Sequence, residues 1–171
     1  MSKIILPVTH RRQRHPADCV AACAAMALDY LNEPVEYDRL LRILRVEPEF
    51  GTAAFNIRLL EELGVTVIYR ERGSLDEIRQ HLENHLPCIA FLRTGDLPWW
   101  TWDTAHAVLI VGMNEWMASL GTRAPAGSPT ATSRRWSGSS IWGMSRIGRH
   151  VRGWRRGSEN NGSNELHGSV D

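Results

Sequence analysis

What this sequence lacks excludes several protein classes. It holds three cysteines in 171 residues, an odd and small number. No disulfide framework follows, and a reducing cytoplasm is the simplest compartment. No run of about 18 apolar residues occurs, so no segment is expected to span a bilayer. The opening MSKIILPVTHRRQ puts its basic residues after its apolar ones, the wrong order for a secretory signal. Cys19 and Cys23 could face one ion, but no further pair completes a tetrahedral set. His10 and His15 flank a basic loop, and His81 and His85 share the solvated face of a polar helix, so no metal is expected. A phosphate-cradling glycine motif is missing, and no cofactor is expected. The formal net charge of +1 gives no reason to expect a nucleic-acid or membrane partner.

What is present divides unevenly. Residues 1–116 carry twelve Lys and Arg against sixteen Asp and Glu; residues 117–171 carry eight Arg, no Lys and three acids. That second part is rich in glycine and serine, and its apolar residues follow no period beyond one short stretch, SSIWGMSRIGRHVRGW. The reading is therefore a domain over 1–116 and a basic, disordered tail over 117–171. Within the domain the patterns predict helices from Asp18 to about Leu31, over 36–44, over 52–63 with Phe55, Leu59, Leu60 and Leu63 on one face and Gly64 as the stop, and over 74–86 behind a Ser74–Glu77 capping box. They predict strands over 65–70, 87–93 and 105–113. Helices lead and strands follow, which argues an α+β domain with a segregated sheet.

The chemistry centres on QRHPADCVAACAAM, residues 13–26. Asp18 suits the helix N-cap, so Cys19 opens the helix, where unpaired N–H groups and the dipole favour thiolate, the nucleophilic form. An inert cysteine in an alanine-rich packing helix is the plainer alternative. His106 heads the apolar run HAVLIVGM and could serve as the base, or be a core histidine. Gln13, six residues before Cys19, could bring its amide to a developing oxyanion beside the Cys19 N–H. Trp99, Trp100 and Trp102, in GDLPWWTWDTAH, lead straight to His106 and would either wall a substrate cleft together with Asp18 or cover an end of the sheet. Asp103 lies upstream of His106 and is not expected to be catalytic.

QRHPADCVAACAAM followed by AHAVLIVGM resembles the papain-like cysteine peptidases, and more closely the C39 and C39-like branch, which includes the leader-peptide peptidases of bacteriocin export. GTAAFNIRLLEELG and SLDEIRQHLENHLPCIAFL are similar to that branch too, and the likeness covers about residues 10–116. It implies a papain-like fold with N-terminal helices on a small antiparallel sheet. It also implies Cys19 as nucleophile, His106 as base and Gln13 as oxyanion donor, acting on a peptide or leader-peptide substrate, with an export transporter as partner in trans. A monomer is expected. A catalytically impaired module that binds peptides, or a truncated nonfunctional fragment, is the alternative.

The chain departs from that pattern in two places. Val20 stands where the branch has glycine. No Asp or Asn occurs at the orienting position after the histidine, where this chain has Thr122. A lysine-free run of Arg, Gly, Ser, Ala, Pro and Trp is what GC-rich coding DNA yields out of frame. The frame is therefore expected to change near Met117, with the C-terminal strands missing. The rival reading is a basic tail that contacts phosphates or anionic lipid, with Trp136, Trp142 and Trp154 as stacking platforms.

Overall fold

Helix α1 (Cys19–Tyr30) is apolar on every side, and Val20 through Leu28 are all buried. That is the pattern of an enclosed helix rather than one laid on a surface. The computed structural model describes residues 4–97, 100–113, 118–120 and 141–149. Helix α2 (Tyr37–Ile43) starts at Glu36, whose carboxylate accepts the backbone N–H groups of Asp38 and Arg39, satisfying two donors of its open first turn. It turns Tyr37, Leu40 and Ile43 inward.

The element expected as an α-helix over 52–63 is a 3-10 helix, Ala54–Leu63. Three residues per turn stack Ala54, Ile57 and Leu60 on the core side, and these are the buried ones. Phe55, which a 3.6-residue period would have put inward, is 62% exposed. Gly64 ends the helix at φ 79, in the left-handed region. Helix α3 (Leu75–Glu83) opens with the Ser74–Glu77 capping box that its sequence predicts.

The strands are β1 (Ile4–Ile5), β2 (Val65–Arg70), β3 (Cys88–Arg93), β4 (Ala105–Met113), β5 (Ala118–Leu120) and β6 (Ile141–Arg149). They form a five-strand path β1-β4-β3-β6-β2, antiparallel at every step, with β5 also on β4. Helices α1 and α2 and the 3-10 helix share a core with Ile89, Phe91, Ala107, Leu109 and Ile147. Across the sheet, Ile78 and Leu82 of α3 pack with Cys88, Ala90, Val108, Ile110 and Met144. Covered on both faces, β3 and β4 can be continuously apolar, which is why they read as buried strands. This is the expected α+β architecture of helices on an antiparallel sheet. Among the described residues no helix is long and apolar enough to cross a membrane.

The expectation that the sheet lacks its C-terminal strands, with 117–171 as a disordered tail, is corrected where β5 and β6 lie. Strand β6 sits between β3 and β2, in register from Cys88↔Arg146 to Phe91↔Gly143 on one side and from Val65↔Arg149 to Arg70↔Met144 on the other. Strand β6 falls inside SSIWGMSRIGRHVRGW, the one periodic stretch of that part of the sequence, and as an inner strand enclosed on both faces it needs no apolar alternation. Trp136, Trp154 and Thr122 lie outside the described residues. Strand β6 fits its slot imperfectly: among the described residues, the Ser145 hydroxyl, fully buried, and Arg146 Nε have no hydrogen-bond partner. A buried hydroxyl without a partner is a net cost, so Ser145→Ala should raise stability by about 1 kcal/mol. The check is a higher urea midpoint at unchanged m-value; an unmoved or lower midpoint would show that the hydroxyl is satisfied.

Candidate active site

The approach to α1 is a tight loop. The Asp18 N–H donates to His15 O at 3.1 Å, and the Asp18 carboxylate accepts from the His15 N–H at 3.2 Å and from the Tyr37 hydroxyl at 3.4 Å. Asp18 holds the N-cap position but makes no side-chain cap. It is 3% exposed, so it braces the loop from inside instead of lining a cleft. Burial, then the Asp18 charge, push the Tyr37 hydroxyl up to about 12. The Arg14 guanidinium lies 4.3 Å over the Tyr37 ring and pairs with Asp38 at 2.8 Å. Nothing in the sequence pattern announces this Asp18–Tyr37–Arg14 brace, because its members meet only when α2 docks on α1. Gly51 also approaches here: at φ 78, its missing Cβ would sit 3.1 Å from Ala17 O.

Cys19 is the first residue of α1 and half-buried; Cys23 and Cys88 are buried. Burial raises the Cys19 thiol above its ordinary value. Against it work the backbone N–H groups of Ala107, Val20 and Cys19 itself, which favour thiolate, while the Asp18 charge raises it further. The lowered thiol expected of a helix start is therefore not found: desolvation outweighs the helix. Burial also raises Cys23 well above the usual thiol range and takes Cys88 to about 12, so both favour the unreactive thiol form.

The Ala107 backbone facing Cys19 puts the head of β4 beside the thiol, and His106 is the preceding residue. Burial alone lowers the His106 imidazole to about 4. Among the described residues no hydrogen bond reaches its ring. Its neighbour is Trp100, with ring centroids 5.0 Å apart and tilted 48°. Trp100 is held by a pinned loop. Thr94, fully buried, donates its hydroxyl to Trp102 O and accepts the Thr104 N–H at 2.9 Å. Asp103 accepts Arg93 Nε at 3.0 Å and the Gly95 N–H at 3.2 Å, so it is occupied away from the histidine.

Of the three expected cleft tryptophans, Trp100 meets His106, Trp102 is 75% exposed, and Trp99 lies outside the described residues. Gln13 is half-buried, and its Nε2 donates to His15 O at 3.0 Å and Pro16 O at 3.2 Å, so both amide protons shape the loop. Among the described residues no group of three His, Cys, Asp or Glu side chains could hold a metal.

A sequence profile of the peptidase C39 family matches residues 8–118, a span that includes Gln13, Cys19 and His106. The chain belongs to the peptidase C39 family. That family is one of cysteine peptidases. Solved structures share the fold. A Bacillus anthracis protein assigned as a C39-like peptidase has a TM-score of 0.61 at 14% identity, with 87% of this chain and 99% of that one covered. The peptidase domain of Streptococcus ComA, a bifunctional ABC transporter of a quorum-sensing pathway, has 0.57 at 12%, covering 85% and 98%. A double-glycine-motif protease from an AMS/PCAT transporter, solved in complex with the leader peptide, has 0.59 at 15%, covering 87% and 99%. The comparison with curated protein sequences returns no match.

In the folded C39 chain His106 stays neutral down to about pH 4, whereas the unfolded chain takes up that proton near 6.5. The unfolded state thus binds more protons between those values. The stability due to the buried neutral ring is full above pH 6.5 and is lost as pH falls toward 4, a loss of about 2–3 kcal/mol. His106→Gln should flatten that part of the profile in urea melts at stepped pH; parallel profiles would contradict it. Trp100→Ala should let water reach the ring and move the His106 titration, followed by NMR, up toward 6.5. Trp100→Phe should hold it down, and no difference between the two variants would remove the tryptophan from this role.

Proposed function

We propose that this C39 chain hydrolyses peptide bonds by nucleophilic attack of Cys19, with His106 as its proton carrier. The observation that carries the reading is the Cys19 thiol lying against the backbone of Ala107, the residue next to His106. Both side chains rest in their neutral forms: burial raises the thiol and lowers the imidazole. A preformed thiolate–imidazolium pair is therefore not the resting state. His106 removes the thiol proton as sulfur attacks the carbonyl carbon, acting as a general base. The S–C bond forms, and the carbonyl electron pair moves to oxygen, beside the N–H groups at the start of α1. The imidazolium then gives its proton to the leaving amine as the C–N bond breaks. Water, deprotonated by the same ring, releases the acyl group and restores the thiol.

Gln13 serves the oxyanion in this scheme only by releasing one of its two loop carbonyls when substrate enters. The substrate is a peptide, and the similarity to a protease solved with a leader peptide supports a leader peptide, delivered by an export transporter in trans. A cytoplasmic setting fits that role. The neutral resting pair also favours a second reading, a C39 module that binds peptides and cuts them slowly or not at all.

Alkylation of Cys19 against pH, located by mass spectrometry, tests the chemistry. The expected profile has slow labelling at neutral pH and a midpoint above the free thiol value of about 8.5. Peptide hydrolysis, lost in Cys19→Ala and reduced about 100-fold or more in His106→Ala, identifies the enzyme. Hydrolysis indifferent to His106 removes it as base, and no hydrolysis at all leaves the binding module.

A further inference from the structure

A hollow of about 400 Å³ on the α2 side is lined by Arg39, Arg42, Ile43, Arg45, Leu59 and Glu62. Three of these six are cations against one acid, Glu62, in a part of the chain where acids outnumber bases. Helix α2 cannot neutralise them with its own acids. Glu36 is spent on capping the helix, and Asp38 is paired with Arg14. Arg11, Arg14, Arg70 and Arg93 each have a carboxylate partner. No salt bridge to Arg39, Arg42 or Arg45 occurs among the described residues. Only the field of Arg42 reaches Glu36, as the least of the influences that lower that carboxyl.

Arg45 adds a second observation. Its φ of 53 is left-handed, at the end of α2, where its N–H returns to Arg42 O and the Val46 N–H to Leu41 O. Glycine or asparagine closes such a turn at least cost. An arginine there bears backbone strain and in return puts a guanidinium at the rim. The floor beneath the charges is Ile43 and Leu59. Guanidinium groups above aliphatic side chains match a glutamate or aspartate, whose carboxylate takes a forked pair of N–H donors while its methylenes lie on the apolar floor.

The hollow is tied to the candidate nucleophile. Gly51 lies six positions after Arg45, at most about 20 Å of chain, and it abuts Ala17, two positions before Cys19. We propose that the Arg39–Arg42–Arg45 hollow is an exosite that receives the carboxylates of an acidic stretch in the peptide substrate, outside the residues that are cut. This rests on the peptide-substrate reading above and adds to it a charge preference located away from the thiol.

The test uses the full chain carrying Cys19→Ala, so that binding is read without cleavage. A fluorescein-labelled peptide of repeated Glu-Ala-Leu units is titrated by anisotropy, beside its Gln-Ala-Leu counterpart. The Glu peptide should bind more tightly, lose affinity as salt rises, and weaken about tenfold or more when Arg39, Arg42 and Arg45 are all changed to Gln. Arg45→Gly provides a control against misfolding, because it suits its backbone: it should bind the Glu peptide less tightly while melting no lower than the parent. Equal affinity for the Glu and Gln peptides, or for the parent and both Arg variants, overturns the proposal. So does binding of inorganic phosphate, lost in the triple variant, without binding of the Glu peptide, since that would mark a phosphate site. Failure of hydrolysis in the unmodified chain would overturn the peptidase reading and leave the binding result untouched.

Discussion

The enclosure of α1 decides both where the thiol stands and how it ionises. Alanine at five of its twelve positions lets β4 and the helices around it come close, and the close fit brings the Cys19 sulfur against the backbone of Ala107. The same fit strips water from the sulfur and from His106. A helix start contributes about 0.3–1 kcal/mol toward an anion, whereas taking a charge out of water costs several kcal/mol. Burial therefore wins, and the pair rests uncharged. A thiol kept neutral and partly out of water is also less open to adventitious oxidation and alkylation.

The elements were legible because their signals are local. The Ser74–Glu77 box, Gly64 and the apolar runs of β3 and β4 each announce themselves within a few residues, and each appears where the sequence put it. The 3-10 winding of Ala54–Leu63 was not legible. Its residues satisfy a period of 3.6 on paper, and only docking selects the three-residue turn that leaves Phe55 in water. Asp18 shows the limit most clearly. Its place before a helix argues for capping, but a carboxylate within reach of the Tyr37 hydroxyl and the His15 N–H turns inward, and Tyr37 is nineteen positions away on a different helix. Gln13, Cys19 and His106 could be picked out by residue type and spacing. The Trp100–His106 contact could not, because it depends on how Thr94 closes the loop.

Charge is distributed with a similar economy. Six acids of the domain are engaged in structure: Glu36 as a cap, Asp18 as a brace, and Asp38, Asp29, Glu77 and Asp103 in ion pairs. The arginines left over are therefore the informative ones. Exposed pairs of this type contribute little to stability individually, so their arrangement bears more on what approaches the surface than on whether the fold holds.

Strand β6 has an implication for how the molecule is made. It is the last described strand in the chain, yet its place is inside the sheet, between two strands synthesised long before it. Until residue 149 has emerged from the ribosome, β2 and β3 each present an open row of backbone donors and acceptors, and among the described residues nothing earlier in the chain is registered to close them. Exposed strand edges invite pairing with other nascent chains. The growing polypeptide therefore passes through a stage in which most of its core residues are present but its sheet is split. Closure at that gap, by a strand whose Ser145 hydroxyl and Arg146 Nε have no hydrogen-bond partner among the described residues, is the step at which assembly is most easily diverted.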